Sequence, residues 1–170
     1  MTDRTITSDD IITAGRAISL TTTVVSEWAG RGTPKQREYL HGFLTAEHAS
    51  RTHARHARLL KAARLPTLKS FDGYDWSAIR FPDGYGRDQL TAREFLPHAG
   101  DLVFYGDVGT GKTHLACALV AAACQQGIPA QFHTTASLVA QLRRAKDADR
   151  LDKELAALAR FPLLAIDEFG

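Results

Sequence analysis

Residues 102–114 read LVFYGDVGTGKTH, and the rest of the chain is arranged around this stretch. An apolar run, Leu102-Val103-Phe104-Tyr105, predicts a strand. It enters a glycine-rich turn, Gly106-Asp107-Val108-Gly109-Thr110-Gly111, followed by Lys112, Thr113 and His114. The alanine-rich residues 115–125 behind it predict a helix. Together these form the pattern G-x-x-x-x-G-K-[ST] in the setting it requires, after a strand and before a helix.

Each position has a chemical reason. A triphosphate needs many short-range donors, which backbone N–H groups around a tight loop supply without bulky side chains. Gly106, Gly109 and Gly111 permit positive φ and close backbone approach. The loop delivers the anion to a helix N-terminus, where free N–H groups and the dipole favour negative charge. Lys112 is placed to reach the β- and γ-phosphates, and the Thr113 hydroxyl to coordinate Mg²⁺. The expected cofactors are therefore ATP and Mg²⁺, with residues 106–114 as the binding set: Gly106, Asp107, Val108, Gly109, Thr110, Gly111, Lys112, Thr113 and His114. The competing reading is a glycine-rich turn with an incidental lysine.

A second element supports the first reading. Leu163-Leu164-Ala165-Ile166 runs into Asp167-Glu168. A buried strand ending in a carboxylate suits the metal side of such a site. Asp167 would hold Mg²⁺ through its water shell, and Glu168 would orient or deprotonate the attacking water. Asp167-Glu168-Phe169-Gly170 is not the D-F-G of protein kinases, because a glutamate interrupts it and no kinase lysine strand or catalytic loop is visible.

The chain has 170 residues, 44% hydrophobic and 24% charged, with a net charge of +2. That is ordinary globular composition, enough for one domain and an appendage. Residues 1–10 are polar, which reads as no secretory leader. No run approaches the ~18 apolar residues of a membrane span. Cys117 and Cys124 lie two helical turns apart, too far to bond to each other, and read as core residues of a protein in a reducing cytoplasm.

In chain order, Ser8-Asp9-Asp10 predicts the cap of a short helix reaching Leu20. Residues 20–25 read as either a loop or a further helix, and Gly30-Arg31-Gly32 as a linker. Thr33-Pro34-Lys35-Gln36 starts a helix with a capping box, ending near Arg64 before Leu65-Pro66. Tyr39, Leu40, Phe43 and Leu44 form its expected apolar stripe, resumed at Leu59 and Leu60. From Arg51 onward another face carries Arg51, Arg55, Arg58, Lys61 and Arg64, with no acid after Glu47. This face reads as a DNA-binding candidate or as a solvated surface. His53 and His56 lack Cys or carboxylate neighbours and read as exposed rather than as metal ligands.

Residues 67–100 form a linker with aromatics that pack on the neighbouring domain, some of them able to line an adenine pocket. A short helix over 88–96, ended by Pro97, is expected within it. Beyond residue 126 come a strand at 130–133, a helix capped by Thr134-Thr135 with Leu138, Val139 and Leu142 inside, a second helix at 151–160, and the Asp167 strand. The fold class is therefore α/β: an N-terminal helical region, residues 1–66; the linker; and, over 101–170, a P-loop NTPase sheet of parallel strands with crossover helices.

Residues 58–66 (RLLKAARLP), the aromatic-acidic stretch after them, residues 106–114 and residues 163–170 together resemble the IstB-like ATPases. These are helper proteins of certain bacterial insertion-sequence transposons, related to DnaC-type helicase loaders within the AAA+ class. The resemblance covers roughly residues 33–170. It implies an ATP-dependent homo-oligomer on duplex DNA that selects a target site and activates a partner transposase. By position it assigns Gly106, Gly109, Gly111, Lys112 and Thr113 to the nucleotide loop and Asp167 and Glu168 to the Mg²⁺ and water-activating pair; Lys112 and Glu168 are then the expected catalytic residues, and Thr113 and Asp167 the expected Mg²⁺ residues. Family members continue well beyond the Asp167 strand. The resemblance therefore implies a C-terminally truncated copy, lacking two strands, a sensor residue and an arginine finger. Such a copy would leave the Gly106-loop strand and the Asp167 strand unpaired, fold poorly alone and hydrolyse ATP inefficiently. A helicase loader and a non-catalytic DNA- or partner-binding remnant remain open alternatives. A small-molecule kinase ranks last, because no acceptor lid is found and Asp167-Glu168 argues for water as nucleophile.

Overall fold

The computed structural model describes residues 5–168, so Phe169 and Gly170 of the last motif and the first four residues of the polar N-terminal stretch lie outside the described residues. The chain divides into two compact units, the first ending at Arg55 and the second beginning at His56.

The first unit is helical. Helix α1, Ser8–Ala17, starts at Thr7, whose side chain accepts from the Asp10 N–H while the Asp10 carboxylate accepts from the Thr7 N–H. The cap thus lies one residue before the expected serine. Of residues 20–25, the last four resolve as helix: α2 spans Thr22–Arg31 and ends at Gly32, so Gly30 and Arg31 are helical rather than linker. Helix α3, Pro34–Ala62, begins at the expected capping box, with the Thr33 N–H donating to Gln36 Oε1 at 2.8 Å. The core of this unit is Ile11, Ile18, Val25, Ala29 and Leu44. The expected stripe on α3 is only half right. Leu44 is buried and Leu40 packs against the cluster, but Tyr39 and Phe43 are 80% and 60% exposed. Two short helices cover one narrow strip of α3, which is less than its sequence pattern offers.

The second unit is built on α5, Lys112–Gln125, which is buried on nearly every side. One face, with Cys117, Val120, Ala123 and Cys124, packs on Ala130, Phe132 and Ala63. Another, at Leu119, meets Leu90 and Phe95 with Phe71, Trp76, Phe81 and Tyr85 around them. Small residues let backbone approach from several directions, which explains the alanine content. Both cysteines are free and buried. Strands β1, Ala130–Thr134, and β2, Leu163–Asp167, pair in parallel, from Ala130 opposite Leu163 to Thr134 opposite Asp167. A parallel pair needs a long crossover, here α6, Thr135–Asp147, and α7, Leu151–Leu158. Thr134 caps α6 by accepting from the Ser137 N–H at 3.2 Å. Leu138 and Leu142 are half-buried, whereas Val139 is exposed and Ala145 takes the buried place.

Three expectations need correction. Residues 102–105 form no ladder with another strand. They keep a strand's alternation, with Leu102 and Phe104 packed on the aromatic cluster and Val103 and Tyr105 exposed by 80% and 91%. A strand is completed by ladder partners for its N–H and C=O groups, and among the described residues none lies beside this segment. The Asp167 strand is paired, against expectation, but only half-buried, because β1 covers one edge alone. The other edge of β1 is met by the end of α3, where the Phe132 N–H donates to the Ala63 carbonyl at 2.8 Å. Finally, the helix before the glycine-rich turn, α4, is Arg87–Ala92, closed by Arg93 in a left-handed conformation. Pro97 does not end this helix; it lies within a separate 3-10 turn, Leu96–His98.

Candidate nucleotide site

The turn between residues 105 and 112 has the backbone its glycines predict. Gly106, Gly109 and Gly111 take φ of 143°, 84° and 89°, and Gly111 is the residue from which α5 starts. Thr110 Oγ1 donates to the Asp107 carbonyl at 2.8 Å, tightening the bend. Val108 stands at the exposed tip. Lys112 folds back, its Nζ donating to the carbonyls of Gly106 and Asp107, both at 2.8 Å. Neutral carbonyls hold this ammonium weakly enough for a phosphate oxygen to replace them, since charged pairs make the stronger hydrogen bonds.

Asp167 ends β2 beside this turn. Thr113 Oγ1 donates to Asp167 Oδ2 at 2.7 Å, joining positions 54 residues apart. The backbone carbonyl of Asp167 accepts from Thr135 Oγ1 at 3.1 Å, which ties the carboxylate's position to the first residue of α6. A hydroxyl and a carboxylate in contact form an oxygen donor set of the kind Mg²⁺ takes, one or two carboxylates with the remainder from water and phosphate. The residues present therefore fit the group. Glu168 follows immediately, exposed and at φ 57°. Non-glycine residues in that region carry roughly 1–3 kcal/mol of strain and cluster at functional sites.

Some contacts were not foreseen from sequence. Tyr74 lies on the loop, its hydroxyl 3.5 Å from the Thr110 carbonyl and its ring 4.9 Å from that of His114. His114 Nε2 donates to the Ser70 carbonyl at 2.9 Å. The signal available was the cluster of aromatics in a polar segment, which says that they pack on the neighbouring domain but not on which of its residues.

The basic candidates are exposed and share no focus. Arg51 pairs with Glu47 at 2.7 Å and donates to the Ile18 carbonyl at 3.0 Å, within the first unit. Arg55, Arg58 and Lys61 are exposed on α3 at spacings of one helical turn. Arg64 lies beyond the helix, donating to Gln141 Oε1 at 2.6 Å, and Gln141 in turn donates to Glu154. Buried His133, 2% exposed, lies 3.1 Å from Gln131 Oε1; burial, and then the Arg64 charge, push its pKa below the ordinary value. Among the described residues no group of three or more His, Cys, Asp or Glu is placed to hold a metal, and no helix is long and apolar enough to cross a membrane.

Comparison with known proteins identifies the family. Residues 18–170 match the family model described as IstB-like ATP binding protein. A protein named as an ATP-binding protein of insertion sequence IS5376, from Geobacillus stearothermophilus, is 32% identical over 146 residues, covering 86% of this chain and 58% of its own length. Its counterpart in insertion sequence IS21 from Pseudomonas aeruginosa is 32% identical over 147 residues, covering 85% of this chain and 54% of its own. A third, of IS1162 from Pseudomonas fluorescens, is 32% identical over 128 residues, with 75% and 55% covered. The chain spans about half the length of the curated relatives it matches. With a glycine-rich turn leading into α5, a parallel strand ending beside it at Asp167 and a family match over most of its length, this chain belongs to the IstB-like ATP-binding proteins.

Proposed function

We propose that the chain is the nucleotide-binding part of an ATP-dependent helper of insertion-sequence transposition. In this reading it binds MgATP, contacts duplex DNA, assembles with further copies of itself, and passes the bound state to a partner transposase in the cytoplasm. Residues 1–66 would form the basic helical region, 67–100 the linker and 101–170 the nucleotide domain. The names of the relatives, which place them in insertion sequences, favour this over a helicase loader.

The observation that carries the nucleotide half is the 2.7 Å contact between Thr113 and Asp167, which brings two motifs distant in sequence to one point. Lys112 would exchange its two carbonyls for the β- and γ-phosphate oxygens, neutralising charge that grows in the transition state. Thr113 and Asp167 would hold Mg²⁺, directly and through its water shell. The bound metal supplies Lewis-acid polarisation of the phosphoryl oxygens. Glu168 would accept the proton of the attacking water. The exposed Arg55, Arg58 and Lys61, together with Arg51 and Arg64, would contact DNA phosphates.

Titration of MgATP into the purified chain, with Lys112→Ala as control, tests the core of this reading. Saturable binding that disappears in the variant is the expected result. Binding indifferent to Lys112 would remove the loop from the function.

A further inference from the structure

We propose that Tyr74 is a positioning residue of the nucleotide site, and that residues 70–76 form a brace clamping the backbone that carries Lys112 and Thr113. The inference rests on reading residues 106–114 as a phosphate loop.

The brace touches the loop on both sides of those two residues. On the entry side the Tyr74 ring covers Gly111 so closely that a Cβ there would lie 2.5 Å from the phenol oxygen and 3.2 Å from two ring carbons. Its hydroxyl faces the Thr110 carbonyl at 3.5 Å. On the exit side the His114 ring meets the Tyr74 ring at 4.9 Å and is tied to the Ser70 carbonyl at 2.9 Å. Tyr74 is itself supported. Trp76 meets it edge-on at 5.0 Å, packs with Phe71 and Phe81, and carries Arg87 5.1 Å above its ring. A chain of rings thus runs from the Leu90–Phe95–Leu119 core to the phosphate loop.

Two features suit this contact to support rather than obstruct. The hydroxyl meets a carbonyl, so it does not compete with an anion for the loop's N–H groups. Burial, and then the neighbouring Asp75 charge, raise the phenol's pKa, so it remains a donor. Gly111 therefore has two reasons to be glycine, its φ of 89° and the ring lying on it. A loop with three glycines has much conformational freedom to lose when it closes on a ligand. An external brace removes part of that freedom in advance, which raises affinity by preorganisation.

The test uses the full chain with Trp28→Phe, which leaves Trp76 as the sole tryptophan. MgATP affinity is measured by calorimetry for this parent and for Tyr74→Phe, Tyr74→Ala and Tyr74→Leu, the last guarding against a folding defect in the alanine variant. Tyr74→Phe keeps the ring and is expected within about twofold of the parent. Tyr74→Ala and Tyr74→Leu are expected about tenfold weaker through reduced preorganisation. Trp76 emission should respond to MgATP in the parent and the phenylalanine variant and cease to respond in the other two. A folded Tyr74→Ala or Tyr74→Leu variant binding within twofold of the parent overturns the brace, as does Trp76 emission that ignores saturating MgATP in the parent. Lys112→Ala separates the two readings. If it abolishes binding while the Tyr74 variants do not weaken it, only the brace falls; if it changes nothing, the phosphate-loop reading falls first.

Discussion

Lys112 and Arg64 are both cations held by oxygen atoms, but the oxygens differ in kind. Lys112 donates to two backbone carbonyls of its own loop, partners that a phosphate can displace without disturbing another element. Arg64 donates to Gln141, which donates to Glu154, so its charge is engaged in joining the end of α3 to α6 and α7. The same contrast separates the two candidate regions as wholes. Around the loop, Thr113, Asp167 and Thr135 arrive from three elements and converge. Along α3, the cations follow helical spacing and spread over a surface. Convergence constrains chemistry; a stripe of charge constrains only the sign of a partner.

The comparison can be broken most strongly at Glu168. Glu168→Gln should leave MgATP affinity unchanged and slow phosphate release by about 100- to 10,000-fold where hydrolysis is measurable, the usual worth of a general base. Abolished binding instead would mean that Glu168 helps hold the nucleotide, and its assigned role would be wrong. Next in size is Lys112→Ala, expected to weaken MgATP binding by about 100-fold or more, so that saturable binding is lost at the concentrations of the titration, since hydrogen bonds from charged groups are worth roughly 1.5–3 kcal/mol each. Calorimetry checks it, and an affinity within a few fold of the original would place Lys112 with the incidental cations.

The basic face is tested by replacing Arg55, Arg58 and Lys61 together with alanine. The logarithmic salt slope of duplex binding should flatten by up to about 2.7, at roughly 0.9 for each phosphate no longer neutralised. An unchanged slope assigns the face to solvent or to protein. The smallest effect concerns His133. Its folded pKa lies below the ordinary value of 6.5, so the unfolded chain takes up the proton first as pH falls. Stability from this residue is therefore complete above about pH 6.5 and declines as pH drops below it toward the folded pKa. Thermal unfolding across roughly pH 5–8, with His133→Gln as control, should show a decline that the variant reduces; equal declines would assign it to other groups.

How much of this was legible beforehand varies by element. The capping box at Thr33 and Gln36, the two crossover helices and the loop glycines follow from local rules, because their partners lie within a few residues. The stripe at Tyr39 and Phe43 misled, because amphipathic spacing says which face is apolar but not whether another element covers it. Residues 102–105 read as a strand from their apolar run, yet a ladder depends on a neighbour distant in sequence. The aromatics of residues 71–85 announced packing on the neighbouring domain without naming the residues they meet.

By itself the sequence determined the glycine-rich turn, the helix behind it and the acidic end of β2, since each is a short pattern whose partners lie within it. Only the tertiary structure decided that Thr113 meets Asp167, that Tyr74 rests on Gly111, and that the end of α3 closes one edge of β1. These contacts join positions tens of residues apart. They depend on how the crossover helices and the aromatic core set distances, which no local propensity encodes.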